Sequence, residues 1–384
     1  MKNNRKSFCR SGAIIICLGL FSWSCTSDQN AVIYPPPPPP PPDPAYVGSE
    51  ACANCHSDHY ESFLTTGHPY KLTKVVDGES PIYPFTTLDY LPSGYSWNDI
   101  SYVIGGYNWK ARYVDANGYI VTGDDVQWNF ETEEAVAYHA DEDPGTKMYD
   151  CGRCHTTGWI SLDDGGIPQD GLEGMAGEFF DGGIQCEACH GMGSVHVYTK
   201  SKDDISIDAS SEFCGTCHYR NEDHTIAASG GFIKHHEQYD EMIAAGHSVL
   251  SCNDCHNPHE SVKHGQTGGI IKDCTECHEE ITKGTEHNGA DCNTCHLPFA
   301  TKTAVARTKY QGDIMTHIFK INTAADGKMF NEDGTLANGS TGVTLDFVCY
   351  RCHRDLGGNG GSDDVFASKK SMQSLSNYAT GYHD

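Results

Sequence analysis

The chain has 384 residues, of which Leu, Ile, Val and Phe supply 67, and it carries a formal charge of −26. So few aliphatic side chains with so much like charge exclude an ordinary protein-only core. The scarcity of Lys and Arg excludes a basic surface for nucleic acid.

Residues 1–24 read as an export signal. Lys2, Arg5, Lys6 and Arg10 form a basic start, and Ser11 to Trp23 an apolar stretch too short to span a bilayer. A retained membrane anchor is the competing reading. Cys25 closes the stretch in Phe-Ser-Trp-Ser-Cys, a placement that resembles a bacterial lipoprotein signal, although Ser22 stands where Leu is usual. Lipidation at Cys25 would attach the chain to a membrane, and Thr26 in the next position implies the outer membrane; ordinary cleavage nearby is the alternative. Pro35 to Pro42 then form an unbroken run, which predicts a stiff polyproline II spacer of roughly 25 Å within a linker over residues 25–44. Without residues 1–24, twenty-two Lys and Arg face fifty-two Asp and Glu. That acidic surface suits a basic redox partner or cations, or simply keeps the chain soluble.

At Cys52 the body of the chain opens with Cys-x-x-Cys-His, and the pentapeptide recurs eight times. The copies are Cys52, Cys55 and His56; Cys151, Cys154 and His155; Cys186, Cys189 and His190; Cys214, Cys217 and His218; Cys252, Cys255 and His256; Cys274, Cys277 and His278; Cys292, Cys295 and His296; and Cys349, Cys352 and His353. They use sixteen of nineteen cysteines, and the other three lie within the first 25 residues. Two thiols three positions apart can each add to a vinyl group of one porphyrin, with the next histidine as proximal iron ligand. Zinc knuckles or redox dithiols need no histidine in that place. Histidine fills 21 of 384 positions, so finding it after all eight pairs points to haem c, eight copies in all.

Between the first two motifs, residues 100–122 are rich in Tyr, Val, Ile and Gly. Lys110 to Thr122 read as two strands around Asn117-Gly118, a small β-hairpin that Trp97, Trp109 and Trp128 pack or that shields haem edges. Motifs two to seven start only 35, 28, 38, 22 and 18 residues apart. That leaves no room for separate cores, so the haems must touch, wrapped by short helices and loops. Turn signals at Asp326-Gly327, Asp333-Gly334 and Asn338-Gly339 predict a loop-rich region before motif eight, and a Gly-rich tail beyond Gly357 predicts mobility. The expected fold is mainly α with much irregular structure, packed on haem, with a small β element near residues 100–122. The expected divisions are 45–145 for the first haem and its β insertion, 146–300 for the dense array, and 301–384 for the eighth haem.

Thirteen histidines lie outside the motifs. Such a surplus predicts a second histidine on most irons, which closes them to substrate; none of the eight methionines has a ligand-like setting. His247 and His287 each precede a motif by five residues. His259 follows His256 past a stiffening Pro258, and His196 follows His190 closely. His68 lies in a predicted helix after motif one, His317 in an amphipathic stretch before motif eight, and His139 before motif two. Of adjacent His235 and His236, one is expected to bind. His59, His224, His264 and His383 are expected not to.

Cys151-Gly-Arg-Cys-His-Thr-Thr-Gly158, and Gly183 through His196, are similar to the multihaem cytochromes c grouped around the tetrahaem partner of hydroxylamine oxidoreductase. Val47 to His56 with His68 resembles the same group, and the likeness covers roughly residues 46–260. It implies that His196 is a distal ligand. The four further motifs and the lipoprotein-like start depart from the tetrahaem pattern and look more like the secreted multihaem cytochromes of metal-respiring bacteria. That likeness implies stacked haem pairs, electron relay and, in some members, one open haem.

The sequence therefore favours an electron conduit at the outer membrane surface or in the periplasm of a Gram-negative bacterium, handing electrons to other cytochromes or to metal oxides. Such a protein transfers electrons without being an enzyme. An octahaem reductase of nitrite, hydroxylamine or a sulfur oxyanion is the first alternative and needs one open iron. A subunit of a haem filament, a homopolymer, is the second.

Overall fold

Alternation of apolar side chains after the first motif builds the largest sheet. In the computed structural model, which describes residues 39–281, 287, 289–353 and 371–383, five strands form an antiparallel meander: β1 (Leu72–Lys74), β2 (Ile100–Gly105), β3 (Lys110–Asp115), β4 (Gly123–Asn129) and β5 (Glu134–Tyr138). The pairs Tyr102–Val114 and Val103–Tyr113 lie directly across β2 and β3. Successive residues point to opposite faces, so one face buries Val103, Ala111 and Tyr113 with Leu88 and Val121. The other buries Tyr102 and Val114 with Leu72, Ile120, Tyr149 and Met175. Each such side chain contributes about 1.5–3 kcal/mol by leaving water.

The turn expected at Asn117-Gly118 is present. The Asp115 carboxylate accepts the N–H groups of Asn117 at 2.8 Å and Tyr119 at 3.0 Å. Gly118 has φ +92, and a Cβ there would stand 2.8 Å from that of Leu172. The second arm is the single Val114–Ile120 bridge, after which the chain turns into β4. The expected hairpin is thus one corner of a larger sheet whose outer strands the local pattern did not announce. Trp128 stacks on Tyr90 at 4.9 Å, Trp97 packs on the Tyr113 side, and Trp109 donates to the Asp313 carbonyl at 3.1 Å.

A second sheet orders Thr301–Lys302, Phe232–Lys234, Ile226–Ser229 and Leu336–Ala337. With Ile318, Met329, Val343 and Phe347 it closes a core that joins the stretch before motif five to the stretch before motif eight. The α-helices have four to eight residues each. Strands share the architecture with them, a more mixed arrangement than the mainly helical one expected. The described residues from 41 onward form one compact unit.

The tail holds a helix, Met372–Ala379, capped by Ser371 accepting the Ser374 N–H at 3.2 Å and seated by buried Leu375. This segment is structured where mobility was expected. The export signal, Cys25 and the start of the proline run lie outside the described residues. Among the described residues no helix is long and apolar enough to cross a membrane.

Candidate haem sites

Each pentapeptide is shaped by one tight turn. The histidine N–H donates to the carbonyl of the first cysteine in motifs one, five, six and eight at 2.9–3.0 Å. That turn sets both thiols and the imidazole on one side of the backbone. Local caps start several of these turns: Ser251 with Asp254, and Asp273 with Glu276, form reciprocal capping boxes before motifs five and six.

A zinc site would need four ligands to converge. Among the described residues no group of three or more His, Cys, Asp or Glu does so. Imidazoles meet in twos instead. The ring centroids of His56 and His196 are 6.2 Å apart, those of His155 and His236 6.4 Å, His190 and His259 6.1 Å, and His218 and His68 6.4 Å. His256 and His317 stand 6.2 Å apart, His278 and His247 6.2 Å, His296 and His383 5.9 Å, and His353 and His287 5.9 Å. Each motif histidine can thus be given a partner of its own, and His236 stands as near to His218, at 6.3 Å, as to His155. A metal bound by two imidazole nitrogens at about 2 Å each sets the ring centres roughly 6 Å apart. The residues fit an iron whose four remaining ligands come from a porphyrin.

Buried contacts aim these rings. The Glu187 carboxylate, inside motif three, accepts the N–H groups of Val47 at 3.0 Å, Gly48 at 2.8 Å and Gly193 at 2.7 Å. It ties the approach to motif one to the helix Ser194–Thr199 that presents His196 to His56. Nδ1 of His196 bonds the Ser201 carbonyl at 2.8 Å, that of His190 the Ser206 carbonyl at 3.1 Å, and that of His296 the Phe319 carbonyl at 2.7 Å. Such bonds leave Nε2 for a metal.

Seven of the nine expected distal histidines meet a motif histidine in this way. His139 does not: it lies 2.6 Å from Glu142 and is largely exposed. His235 packs on His236 at 4.4 Å, and it is His236 that faces His155. His383, set aside from sequence, faces His296. Its signal was an apolar position, Leu375, and the aromatic pair Tyr378 and Tyr382 inside a tail that otherwise reads as linker. His224 bonds buried Asp240 at 2.8 Å, and His264 bonds the Tyr107 carbonyl at 3.0 Å. His59 lies 6.4 Å from His56, three residues along the chain, and 5.1 Å from His259.

The sequence matches the family model of cytochrome c554 and c-prime over residues 124–191. Over those residues the chain is similar to the multihaem cytochromes c554 and c-prime. The structure is similar to the octahaem sulfite reductase MccA of Wolinella succinogenes, form II, with TM-score 0.57 and 18% identity over 80% of this chain and 65% of that one. It thus spans a little under two thirds of the reductase. It is similar also to the outer cell wall cytochrome OcwA, with TM-score 0.51 and 18% identity over 86% of each chain. An undecahaem cytochrome from the S-layer of Carboxydothermus ferrireducens matches at TM-score 0.45 and 19% identity, over 69% of this chain and 52% of that one. No curated protein matches in sequence.

Burial keeps these paired imidazoles neutral, the form that binds metal. It lowers His68 and His155 to about 3 and His317 to about 4, with Lys71 adding to the first two and His256 to the last. Burial likewise lowers His218, His236, His247, His256 and His259.

Separate motifs also meet. Cys154 Sγ donates to the Thr216 carbonyl at 4.0 Å and Cys217 Sγ to the Arg153 carbonyl at 3.8 Å, Cys252 Sγ donates to the Ser211 hydroxyl at 3.6 Å, and the Cys186 N–H donates to the Ser49 hydroxyl at 3.2 Å. Cys189 lies within electrostatic reach of Cys217, Cys255 of Cys277, Cys274 of Cys292, and Cys295 of Cys352. Direct contacts thus join motif one to motif three, motif two to motif four, and motif four to motif five.

Proposed function

We propose that the chain is a multihaem c-type cytochrome that carries eight haems c, each closed by two histidines, and relays single electrons without binding substrate at iron. One observation carries this reading: all eight motif histidines stand 5.9–6.4 Å from a second imidazole. Bound haem c supplies a one-electron ferric–ferrous couple. The chain's own part is to fix the ligands, exclude water and set neighbouring attachment points against one another. Histidines on both sides leave no coordination position for an oxyanion.

Export, a lipid on Cys25 and a proline rod would place this relay at the outer membrane, facing another cytochrome or a metal oxide. The likeness to a protein named as an outer cell wall cytochrome supports an exported setting. A second reading, an octahaem reductase, draws on the likeness to a solved octahaem sulfite reductase. It requires an iron that one facing histidine would have to leave.

The test is the ligation state of the purified holoprotein. The relay reading expects mass for eight haems, low-spin spectra throughout and no carbon monoxide binding to the reduced form. One high-spin iron or a carbon monoxide adduct overturns it in favour of the reductase. A mass lacking a lipid at Cys25 removes the anchor alone.

A further inference from the structure

Outside the candidate haem sites, three stretches of chain enclose a cavity of about 440 Å³. Trp109, just before β3, and Phe130, just after β4, line it from the first sheet. Phe299 and Arg307 line it from the stretch after motif seven, and Lys263 from the loop after motif five. Among the described residues of its wall there is no motif cysteine, motif histidine or facing imidazole. Hydrogen bonds fix this wall. The Phe130 N–H donates to the Trp109 carbonyl at 2.9 Å, and the Trp109 indole to the Asp313 carbonyl at 3.1 Å. Buried Ser261 accepts the Lys263 N–H at 3.0 Å and bonds the Tyr107 hydroxyl at 2.7 Å. Trp109 has φ +26, and His264, also in the wall, has φ +54. Bulky side chains rarely adopt that backbone, and such strain gathers at functional sites.

Two cations and two acids share the wall, and three of the four are already engaged. The Arg307 guanidinium donates to both oxygens of Glu131, at 2.5 and 2.9 Å, and lies 5.0 Å over the Phe299 ring. Asp313 is buried, and its oxygens accept the N–H groups of Thr303, Ala304 and Val305 at 2.7–2.8 Å. Lys263 is left over. Its ammonium lies 4.8 Å over the Trp109 ring, and among the described residues it has neither an ion pair nor a side-chain hydrogen bond. Burial draws that ammonium below its ordinary value, and the acid whose charge reaches it is the engaged Asp313. A half-buried cation on an aromatic face, with no counter-charge of its own, suits an anion.

We propose that this cavity binds a planar aromatic monoanion, its acid group on Lys263 and its rings among Trp109, Phe130 and Phe299. The volume lies toward the lower end of ligand pockets, roughly 300–1,000 Å³, which suits one or two fused rings. Three aromatic side chains supply the apolar wall such pockets need and favour offset or edge-on contact with the ligand's rings. One unpaired cation sets the ligand's charge at one. Glu131 already neutralises Arg307, so a second acid group on the ligand would meet no free cation. In a chain with 52 acidic and 26 basic residues an anion is repelled over most of the surface, so its affinity has to come from this local arrangement. Binding here makes and breaks no covalent bond and uses no iron, so the site stands whether or not the haems are closed by two histidines.

The test is isothermal titration calorimetry of the holoprotein with naphthoate, and with naphthalenemethanol as its neutral counterpart. Saturation at one naphthoate per chain is expected, at least tenfold tighter than the alcohol. Lys263→Met should remove that preference and leave binding of the alcohol unchanged, whereas Lys263→Arg should keep it. Glu131→Gln makes the opposite change without touching Lys263: it frees Arg307, and naphthalene dicarboxylate should then bind at least tenfold more tightly than to the wild type. The haem absorption bands should stay in place throughout. Equal affinity for acid and alcohol, no saturable binding of naphthoate at millimolar concentration, or a Lys263→Met variant that keeps the preference overturns the proposal. So does a Lys263→Met variant that weakens both compounds together, which would make the lysine a structural residue. A shift of the haem bands on binding would put the carboxylate on iron and overturn it as well.

Discussion

Single side chains decide where an iron can sit. The pentapeptides were plain in the sequence because their chemistry is local: two thiols and an imidazole within five residues. Partner imidazoles come from afar, and sequence ranks them only by proximity to a motif. His139 looked apt before motif two, but Glu142 engages it three residues on. His383 looked spent in a Gly-rich tail, but the helix Met372–Ala379 carries it to His296. Changing His383 to Ala is expected to turn one haem in eight high-spin and able to bind carbon monoxide, with His139→Ala leaving the spectrum unchanged. Equal spectra for both variants would refute the pairing. Glu187 is a second such residue. Glu187→Ala strips the acceptor from three backbone N–H groups and is expected to cost on the order of 3 kcal/mol, read as a lower denaturation midpoint of the holoprotein. A midpoint unchanged would mean that water replaces the carboxylate.

Short helices and strands show what tertiary context adds. The turn at Asn117-Gly118 could be read directly because its residues specify its shape. The pairing of β1 with β2 could not, since 25 residues of irregular chain separate Lys74 from Ile100. The helix Gln238–Ala244 illustrates a charge that sequence alone would place in water. Its Glu241 is fully buried, accepts from the Thr301 hydroxyl at 3.1 Å and from the His317 N–H, and burial lifts its carboxyl to about 7 from an ordinary 4.5. The folded state thus holds this proton more tightly than the unfolded chain does. The resulting stability is whole below pH 4.5, declines as pH rises toward 7 and is absent above it. Glu241→Gln keeps an acceptor and removes the titration. It is expected to stabilise the holoprotein at pH 8 by about 3 kcal/mol and to flatten the stability profile between pH 4.5 and 7. Parallel profiles for the two proteins would exclude this assignment.

For the protein as a body, the aliphatic shortage noted at the outset is only partly met by its clustered cores. Ile270, Ile271 and Ile281, flanking motif six, are half exposed. Porphyrin faces are the natural complement to such surface. Protein made without haem attachment is expected to lack a cooperative thermal transition by circular dichroism, and a sharp native-like transition would contradict that. Ring orientation gives a second global expectation. Near-parallel pairs at motifs one, three and seven, and steep ones of 64–85° at motifs two, four, six and eight, should yield two families of low-spin resonance signals in the oxidised protein. A single family would discount the observed ring planes.

The Glu187 clamp also bears on how the molecule is made. Val47 and Gly48 wait for a carboxylate 140 and 139 residues further along. A polypeptide emerging amino end first therefore cannot dock Cys52 and Cys55 through this clamp until Glu187 has followed. Until then both thiols remain on pliant, accessible backbone, which gives the ligation machinery an interval to work before tertiary closure hides them.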